Sequence, residues 1–326
     1  MKLGVLGGGA WGTALAQVAA TGGRDTLLWA REPEVVESVN RDHENAMYLA
    51  GIPLDPAIRA TADLADLAAC EALLVVTPAQ HMRSVLAAAP VEGRALILCS
   101  KGIEERTGAL LHDVAHQACP DAHIAVLSGP SFADEVAKGL PTAVTLATAE
   151  PGLRERLRRA LARPNFRIYV TDDVAGAEVG GAVKNVLAIA CGVVEGKGLG
   201  ENARAAMIAR GFAEMTRFGI ALGAQRETLA GLSGLGDLVL TCSSPSSRNF
   251  SLGFGLGQGR SAAELLADRR TVAEGAFTAP VLARLAREKH IDMPIVAAVD
   301  ELIGGQANVD EVLERLLSRP PRAEAS

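Results

Sequence analysis

A mostly parallel α/β sheet domain over residues 1–176, followed by an all-helical domain over residues 177–326, is the architecture this sequence predicts. Three observations carry it. Short β-rich apolar runs alternate with helical patterns through the first half, a glycine cluster joins the first strand to the first helix, and the strand signal fades after about residue 176. The runs "KLGVL", "TLLW", "ALLVV", "ALILC", "HIAVL", "TAVTLA" and "FRIYV" read as strands buried on both faces. Between them lie the helix patterns "TALAQVAA", "PEVVESVN", "HMRSVLAAA" and "GLRERLRRALA". Such alternation implies βαβ crossovers and a sheet with helices on both sides. Further on, "EVGGAVKNVLAIACGVVEG", "ARAAMIARGFAEMTRFGIALG", "SAAELLADRR", "APVLARLAREKH" and "PIVAAVDELI" carry apolar residues at helical spacing. The closing "SRPPRAEAS" reads as a frayed tail.

Composition narrows the function classes. The 326 residues are 49% hydrophobic, enough for two cores. A net charge of −6, from 32 basic and 38 acidic residues, leaves no broad positive face for nucleic acid or an anionic membrane. Cys70, Cys99, Cys119, Cys191 and Cys242 have no metal-ligand spacing and are odd in number, so neither a metal site nor a full disulfide framework is expected. The N-terminus does not read as a signal peptide, and no apolar run reads as long enough to span a bilayer. A soluble cytoplasmic protein is the expectation.

The first strand runs into "GGGAWG", where Gly7, Gly9 and Gly12 satisfy G-x-G-x-x-G ahead of a helix. A Rossmann-like dinucleotide fold needs glycines there for a tight turn, for access of the backbone to a pyrophosphate and for close helix packing. A glycine-rich turn without a ligand is the competing reading. The second strand, "TLLW", is followed by Ala30 and Arg31, where an NAD site commonly places an acid for the ribose 2′-hydroxyl. A guanidinium suits a 2′-phosphate, so NADP(H) is expected to be preferred, with NAD(H) also used. Glu32 pulls the other way.

Ligands of open α/β sheets sit beyond the carboxyl ends of the strands. There this chain has "TPAQHMR", then "SKGIE" with Lys101, then "SGPSFADE" with Gly129 and Ser131. Lys101 lies where a nicotinamide and an anionic substrate would both be near. Taken singly, each is more often an ordinary turn residue; three such segments at adjoining strand ends together point to a site. In "TCSSPSSRNF", Ser247, Arg248 and Asn249 offer a hydroxyl, a guanidinium and an amide suited to a phosphate, with a plain polar loop as the alternative. Asp237, in "LSGLGDLVLTC", needs a partner if buried: Lys184, an arginine or a substrate hydroxyl.

Lys184 and Asn185 interrupt an otherwise small and apolar helix. A lone lysine there would ordinarily snorkel to water. Yet Gly180, Gly181 and Ala188 leave its surroundings bare, with room for a close helix, a cofactor or a substrate. A desolvated lysine suits general acid/base work on a carbonyl.

With "GGGAWGTALA", "SKGIE", "SGPSFADEVA", "GGAVKNVLAIACG", "GLGENARAAMIARG", "GLGDLVLTC", "SSRN" and "VAEG" in this order, nearly the whole chain resembles the bacterial type of NAD(P)-dependent glycerol-3-phosphate dehydrogenase. The resemblance implies interconversion of dihydroxyacetone phosphate and sn-glycerol 3-phosphate, supplying glycerophospholipid synthesis. It makes Lys184 the catalytic lysine and gives substrate contacts to Lys101, Gly129, Ser131, Asp237, Ser247, Arg248 and Asn249. It implies cofactor contacts at Trp11, Arg31, Lys101, Ala133, Arg248, Val272 and Glu274, beside the loop residues Gly7, Gly9, Ala10 and Gly12. Ala10 and Ala50 depart from the family pattern, which has a polar residue and a proline there. A 3-hydroxy-acid dehydrogenase and a redox sensor without turnover are the competing functions; the Ser-Arg-Asn cluster and Lys101 favour a phosphate ester. Apolar faces in the helical half would also serve a homodimer.

Overall fold

In the computed structural model, which describes residues 1–267 and 273–320, eight strands form one sheet. They are β1 (Leu3–Leu6), β2 (Thr26–Trp29), β3 (Ile58–Thr61), β4 (Ala72–Val75), β5 (Ala95–Leu98), β6 (His123–Ser128), β7 (Thr142–Ala147) and β8 (Phe166–Thr171), in the spatial order β3-β2-β1-β4-β5-β6-β7-β8. The first six run parallel; β7 pairs antiparallel with β6 and parallel with β8. Successive residues of the central strands face opposite sides. Leu74 and Ile97 join Leu15 and Val35 in one apolar cluster, whereas Leu73 and Leu96 join Met82 and Leu111 in the other. Burial on both faces is what crossover helices on both sides require.

The helices are α1 (Ala10–Ala20), α2 (Pro33–Asp42), α3 (Met82–Ala88), α4 (Leu111–Ala118), α5 (Ala133–Ala137), α6 (Pro151–Leu161), α7 (Val174–Gly196), α8 (Glu201–Ala221), α9 (Arg226–Leu229), α10 (Asp237–Cys242), α11 (Arg248–Gly257), α12 (Ala262–Leu265), α13 (Glu274–Glu288), α14 (Pro294–Ile303) and α15 (Val309–Leu317). Two compact units share them: Met1–Gly181 with Leu222–Asp237, and Ala182–Ala221 with Leu238–Ser326. The sequence divides the chain once, between residues 176 and 177. The units interleave instead, because the segment after α8 packs back on the sheet unit: a π-helical turn, Leu232–Gly236, lies against β7. The second unit is helical. Its α14 begins at a buried carboxylate, Glu214 of α8, which accepts from the amides of Ile295 (2.8 Å) and Val296 (3.2 Å).

Several local expectations are corrected. The strand β3 has no counterpart among the seven expected, because Arg59 breaks the apolar run "AIRAT". The strand β8 is an edge whose Tyr169 and Val170 are exposed, so it is not buried on both faces. Within "SAAELLADRR" only Ala262–Leu265 is helical among the described residues. Most of the expected frayed tail lies outside them. Finally, α7 is long and apolar enough by composition to cross a membrane, with a mean hydropathy of 1.5 over 18 residues, contrary to the reading that no run is. All of that window is buried, which makes α7 a core helix.

Candidate active site

In the sheet unit, the connection after β1 goes outward to β2 while β4 returns on the other side of β1, so the carboxyl ends of β1 and β4 flank the topological switch point. Gly7 to Gly9 occupy that point. A Cβ on Gly12 would stand 1.8 Å from the Gly7 carbonyl oxygen, so only glycine lets α1 sit on the loop. Above Gly9 there is nothing within 4 Å of where a Cβ would be. Gly9 is the N-cap of α1, without a side-chain cap, and the first turn from Ala10 carries no acid. First-turn amides have no acceptor within their own helix, and the helix dipole adds positive potential. Trp11, half-buried beside them, has its indole Nε1 buried without a partner among the described residues. These features fit a dinucleotide pyrophosphate.

At the end of β2 the Arg31 side chain is 80% exposed and donates to Glu32 Oε1 at 3.0 Å. The residue expected to take a 2′-phosphate is thus held by the neighbouring acid. Ala133, half-buried, opens α5.

Beyond β5, Lys101 Nζ donates to Asp237 Oδ2 at 2.6 Å and to the Gly129 carbonyl at 3.2 Å. Asp237 is fully buried, and the sequence reading of its partners omitted Lys101. The π-helical turn before Asp237 delivers this carboxylate; such turns often mark functional positions. Gly129, at φ +144°, leaves its carbonyl free to accept from Lys101 and from Ser131 Oγ (3.0 Å). Glu104 braces the Lys101 loop by binding the Arg83 fork at 2.7 and 2.8 Å and accepting from Thr107 Oγ1 at 2.6 Å. The Arg83 guanidinium holds the Glu104 carboxyl down at about 2 against the opposing effect of burial.

Gly181 of α7 faces this loop. A Cβ there would lie 3.1 Å from Ser128 Oγ and 3.2 Å from Lys101 Cγ. A Cβ on Gly180 would lie 2.2 Å from the Ser233 carbonyl oxygen. The bareness before Lys184 therefore admits a lysine stem on one side and a backbone turn on the other. Among the described residues, the hydroxyls of Thr77, Ser128 and Ser233 are buried without hydrogen-bond partners. Single polar residues at strand ends carry no pattern that distinguishes them from turn residues, and sequence reading missed all three.

In the helical unit, Lys184 is 7% exposed and its Nζ donates to the buried Thr241 Oγ1 at 2.9 Å. A snorkelling lysine would reach water; this one ends on a hydroxyl. Asn185 Oδ1 accepts from Asn249 Nδ2 at 3.0 Å, and Asn249 Oδ1 accepts from the Gly275 amide at 2.9 Å. Ser247 is the N-cap of α11, its Oγ accepting from the Phe250 amide at 3.3 Å. One Nδ2 hydrogen and one Oδ1 lone pair of Asn249 thus tie it to α7 and α13, and of the Ser-Arg-Asn cluster Arg248 alone is exposed. Glu274, half-buried, opens α13. Val272 lies outside the described residues. Thr241 was missed, although it follows Asp237 by one helical turn. No group of three metal-ligating side chains gathers among the described residues.

Two families match the chain: NAD-dependent glycerol-3-phosphate dehydrogenase N-terminus over residues 2–153, and the C-terminus of the same enzyme over residues 173–314. The chain is 66% identical over 323 residues to a glycerol-3-phosphate dehydrogenase (NAD(P)+) of Erythrobacter litoralis, covering 99% of this chain and 98% of the relative. It is 65% identical over 326 residues to a protein of the same description from Novosphingobium aromaticivorans, with the same coverage. Among solved structures, it resembles a glycerol-3-phosphate dehydrogenase from Coxiella burnetii at 36% identity and a TM-score of 0.92, covering 98% of this chain and 99% of that one.

Proposed function

Because the chain belongs to the NAD-dependent glycerol-3-phosphate dehydrogenase family, and is a glycerol-3-phosphate dehydrogenase using NAD(P)+, we propose that Lys184 is the general acid and base of the reaction. The observation that carries this reading is the Lys184 ammonium buried on an apolar helix and fixed by Thr241. Burial and the Thr241 contact hold the Nζ at one position, as a side chain that transfers a proton in the transition state requires.

A bound nicotinamide dinucleotide supplies the hydride to C2 of dihydroxyacetone phosphate, or takes it back from sn-glycerol 3-phosphate. Lys184 Nζ gives its proton to the C2 oxygen as the carbonyl becomes an alcohol and is reprotonated from solvent; in reverse it removes the C2 hydroxyl proton. Thr241 aims the ammonium. Lys101, itself held by Asp237 and the Gly129 carbonyl, adds fixed positive potential near the substrate oxygens. Gly129, Ser131 and Asp237 serve the same substrate. Arg248 is the phosphate anchor. Ser247, whose oxygen caps α11 and whose O–H can still donate, and Asn249, which ties α11 to its neighbours, fix the helix terminus that presents it.

We assign the dinucleotide contacts of the sheet unit to Gly7, Gly9, Ala10, Trp11, Gly12, Arg31, Lys101 and Ala133; the family resemblance adds Arg248, Val272 and Glu274 as cofactor contacts. The exposed Arg31 guanidinium favours NADPH, and a kcat/KM with NADH equal to that with NADPH would sink this preference. We place the enzyme in the reducing cytoplasm, feeding glycerophospholipid synthesis; five free, buried cysteines support that setting. Exposed Phe254 and Phe277 support a homodimer, which light scattering checks.

The deciding experiment compares wild type with Lys184→Ala. Wild type should oxidise NADPH with dihydroxyacetone phosphate and not with unphosphorylated dihydroxyacetone or a 3-keto acid. The variant should bind NADPH normally and lose at least about a thousandfold in kcat, within the range for general acid–base catalysis. Turnover near that of wild type would remove Lys184 from the chemistry.

A further inference from the structure

Asn45 is fully buried in the sheet unit, 32 residues beyond Thr13 in the chain, and it belongs to none of the motifs that carry the reaction. Its Nδ2 donates to the Gly8 carbonyl at 2.8 Å and to Thr13 Oγ1 at 2.7 Å. Its Oδ1 accepts from the Tyr48 amide at 3.1 Å. Both Nδ2 hydrogens and one Oδ1 lone pair are therefore used.

The Gly8 carbonyl belongs to the peptide whose N–H is that of Gly9. A trans peptide is planar, with its C=O and N–H pointing in opposite directions, and no cis bond occurs among the described residues. Drawing the Gly8 carbonyl inward to Asn45 turns the Gly9 N–H outward, to the side where nothing lies within 4 Å of a Cβ on Gly9. Gly8 itself is pressed against Ala30, with only 2.4 Å between an added Cβ and the Ala30 Cβ, so the peptide is held on both flanks. Thr13 lies on α1, so the same amide ties the loop to the first turn of the helix.

We propose that Asn45 is a positioning residue for the dinucleotide: it locks the Gly8–Gly9 peptide so that the Gly9 amide faces the pyrophosphate before the cofactor arrives. The inference rests on the reading that the dinucleotide occupies the glycine loop. A preorganised donor loses little freedom on binding. Because the pyrophosphate is common to NADPH and NADH, Asn45 governs both affinities equally and has no part in choosing between them.

The test measures NADPH and NADH dissociation constants by fluorescence titration, with thermal denaturation alongside. Asn45→Asp keeps the shape and the acceptor for Tyr48 but sets an oxygen against the Gly8 carbonyl. It should raise both dissociation constants at least tenfold and by the same factor, while the KM for dihydroxyacetone phosphate moves less than threefold. Lowering the pH should recover affinity as the aspartic acid regains a proton to donate. Asn45→Ser serves if the carboxylate prevents folding, and Thr13→Val, which leaves the Gly8 contact in place, should bind both cofactors as wild type does. A lowered melting temperature with unchanged dissociation constants in Asn45→Asp or Asn45→Ser would make Asn45 purely structural and overturn the proposal. So would weakening confined to one cofactor. Gly9→Val separates the premise from the inference: if it leaves NADPH binding intact, the loop reading fails and Asn45 with it. If it abolishes binding while the Asn45 variants bind normally, the Asn45 proposal alone fails.

Discussion

Adjacent glycines on α7 should respond in opposite ways to the same added methyl group. In Gly180→Ala the new Cβ would stand 2.2 Å from the Ser233 carbonyl oxygen and 2.8 Å from Gly234 Cα, both backbone atoms of a π-helical turn that cannot swing aside. Overpacking of this kind costs about 1–3 kcal/mol or more. Helix propensity returns about 1 kcal/mol when glycine becomes alanine, so a net loss of roughly 1–2 kcal/mol and a melting temperature lower by several degrees are expected. In Gly181→Ala the Cβ meets Ser128 Oγ at 3.1 Å and Lys101 Cγ at 3.2 Å, side-chain atoms able to yield by a few tenths of an ångström. Propensity and strain then nearly cancel, and the melting temperature should stay within about 2 °C of wild type. The Lys101 stem is nevertheless pushed, and its ammonium sits 2.6 Å from Asp237. Since a misplacement of about 1 Å can cost on the order of a hundredfold, kcat/KM for dihydroxyacetone phosphate should fall roughly tenfold. Paired thermal melts and steady-state kinetics settle both halves. Full kcat/KM in Gly181→Ala would refute the role given to Lys101, and a Gly180→Ala protein as stable as wild type would refute the packing.

Two buried carboxyls predict pH effects of opposite sign. The Arg83 fork holds Glu104 at about 2, below its usual 4.5, so its contribution is present above pH 4.5 and is lost as pH falls toward 2. The shift corresponds to at most about 3 kcal/mol, less what solvent reaching Arg83 removes; in urea melts from pH 6 to pH 3, the deficit of Glu104→Gln against wild type should shrink, and a constant gap would reject the pair's role. Burial raises Glu214 to about 7, outweighing the amides of Ile295 and Val296 that favour its charged form. Its contribution is therefore greatest below pH 4.5 and declines as pH rises through 7, again by up to about 3 kcal/mol. Glu214→Gln should accordingly gain on wild type between pH 5 and pH 8, and parallel stability curves would rule this out.

The sheet was legible because its central strands are short apolar runs cut by helix patterns, and residues such as Leu73 and Leu74 reach opposite cores from one run. β3 was not, since an edge strand needs only alternate burial and Arg59 is exposed on its outer face. The glycine loop announced itself by spacing, and Lys184 by being a charge in an apolar helix. Asn45 and Thr241 had no such contrast: a polar residue in a polar loop, or in a short helix, looks the same whether its side chain is solvated or carries a buried hydrogen bond. The Ser-Arg-Asn triplet showed the reverse difficulty. Three polar groups in sequence suggested three ligands, but capping α11 engages the Ser247 oxygen and joining α7 to α13 uses one donor and one acceptor of Asn249, leaving Arg248 as the exposed member.

The small residues of α7 show why spacing alone could not tell a substrate cleft from helix packing. Gly180 faces the backbone of a turn, Gly181 faces the stem of a lysine, and Gly192 faces the backbone of α11, where a Cβ would stand 2.1 Å from the Phe250 carbonyl oxygen. A missing side chain reports that something comes close, and in each case the approaching group differs in chemistry. What separates Gly181 from the other two is that its neighbours are side-chain atoms, some of them in the stem of a lysine. Backbone against backbone serves to hold an element in place, whereas a glycine that clears the stem of a half-buried lysine sets where that lysine's charge lies. Of the three, Gly181 is therefore the one whose replacement should alter chemistry more than stability.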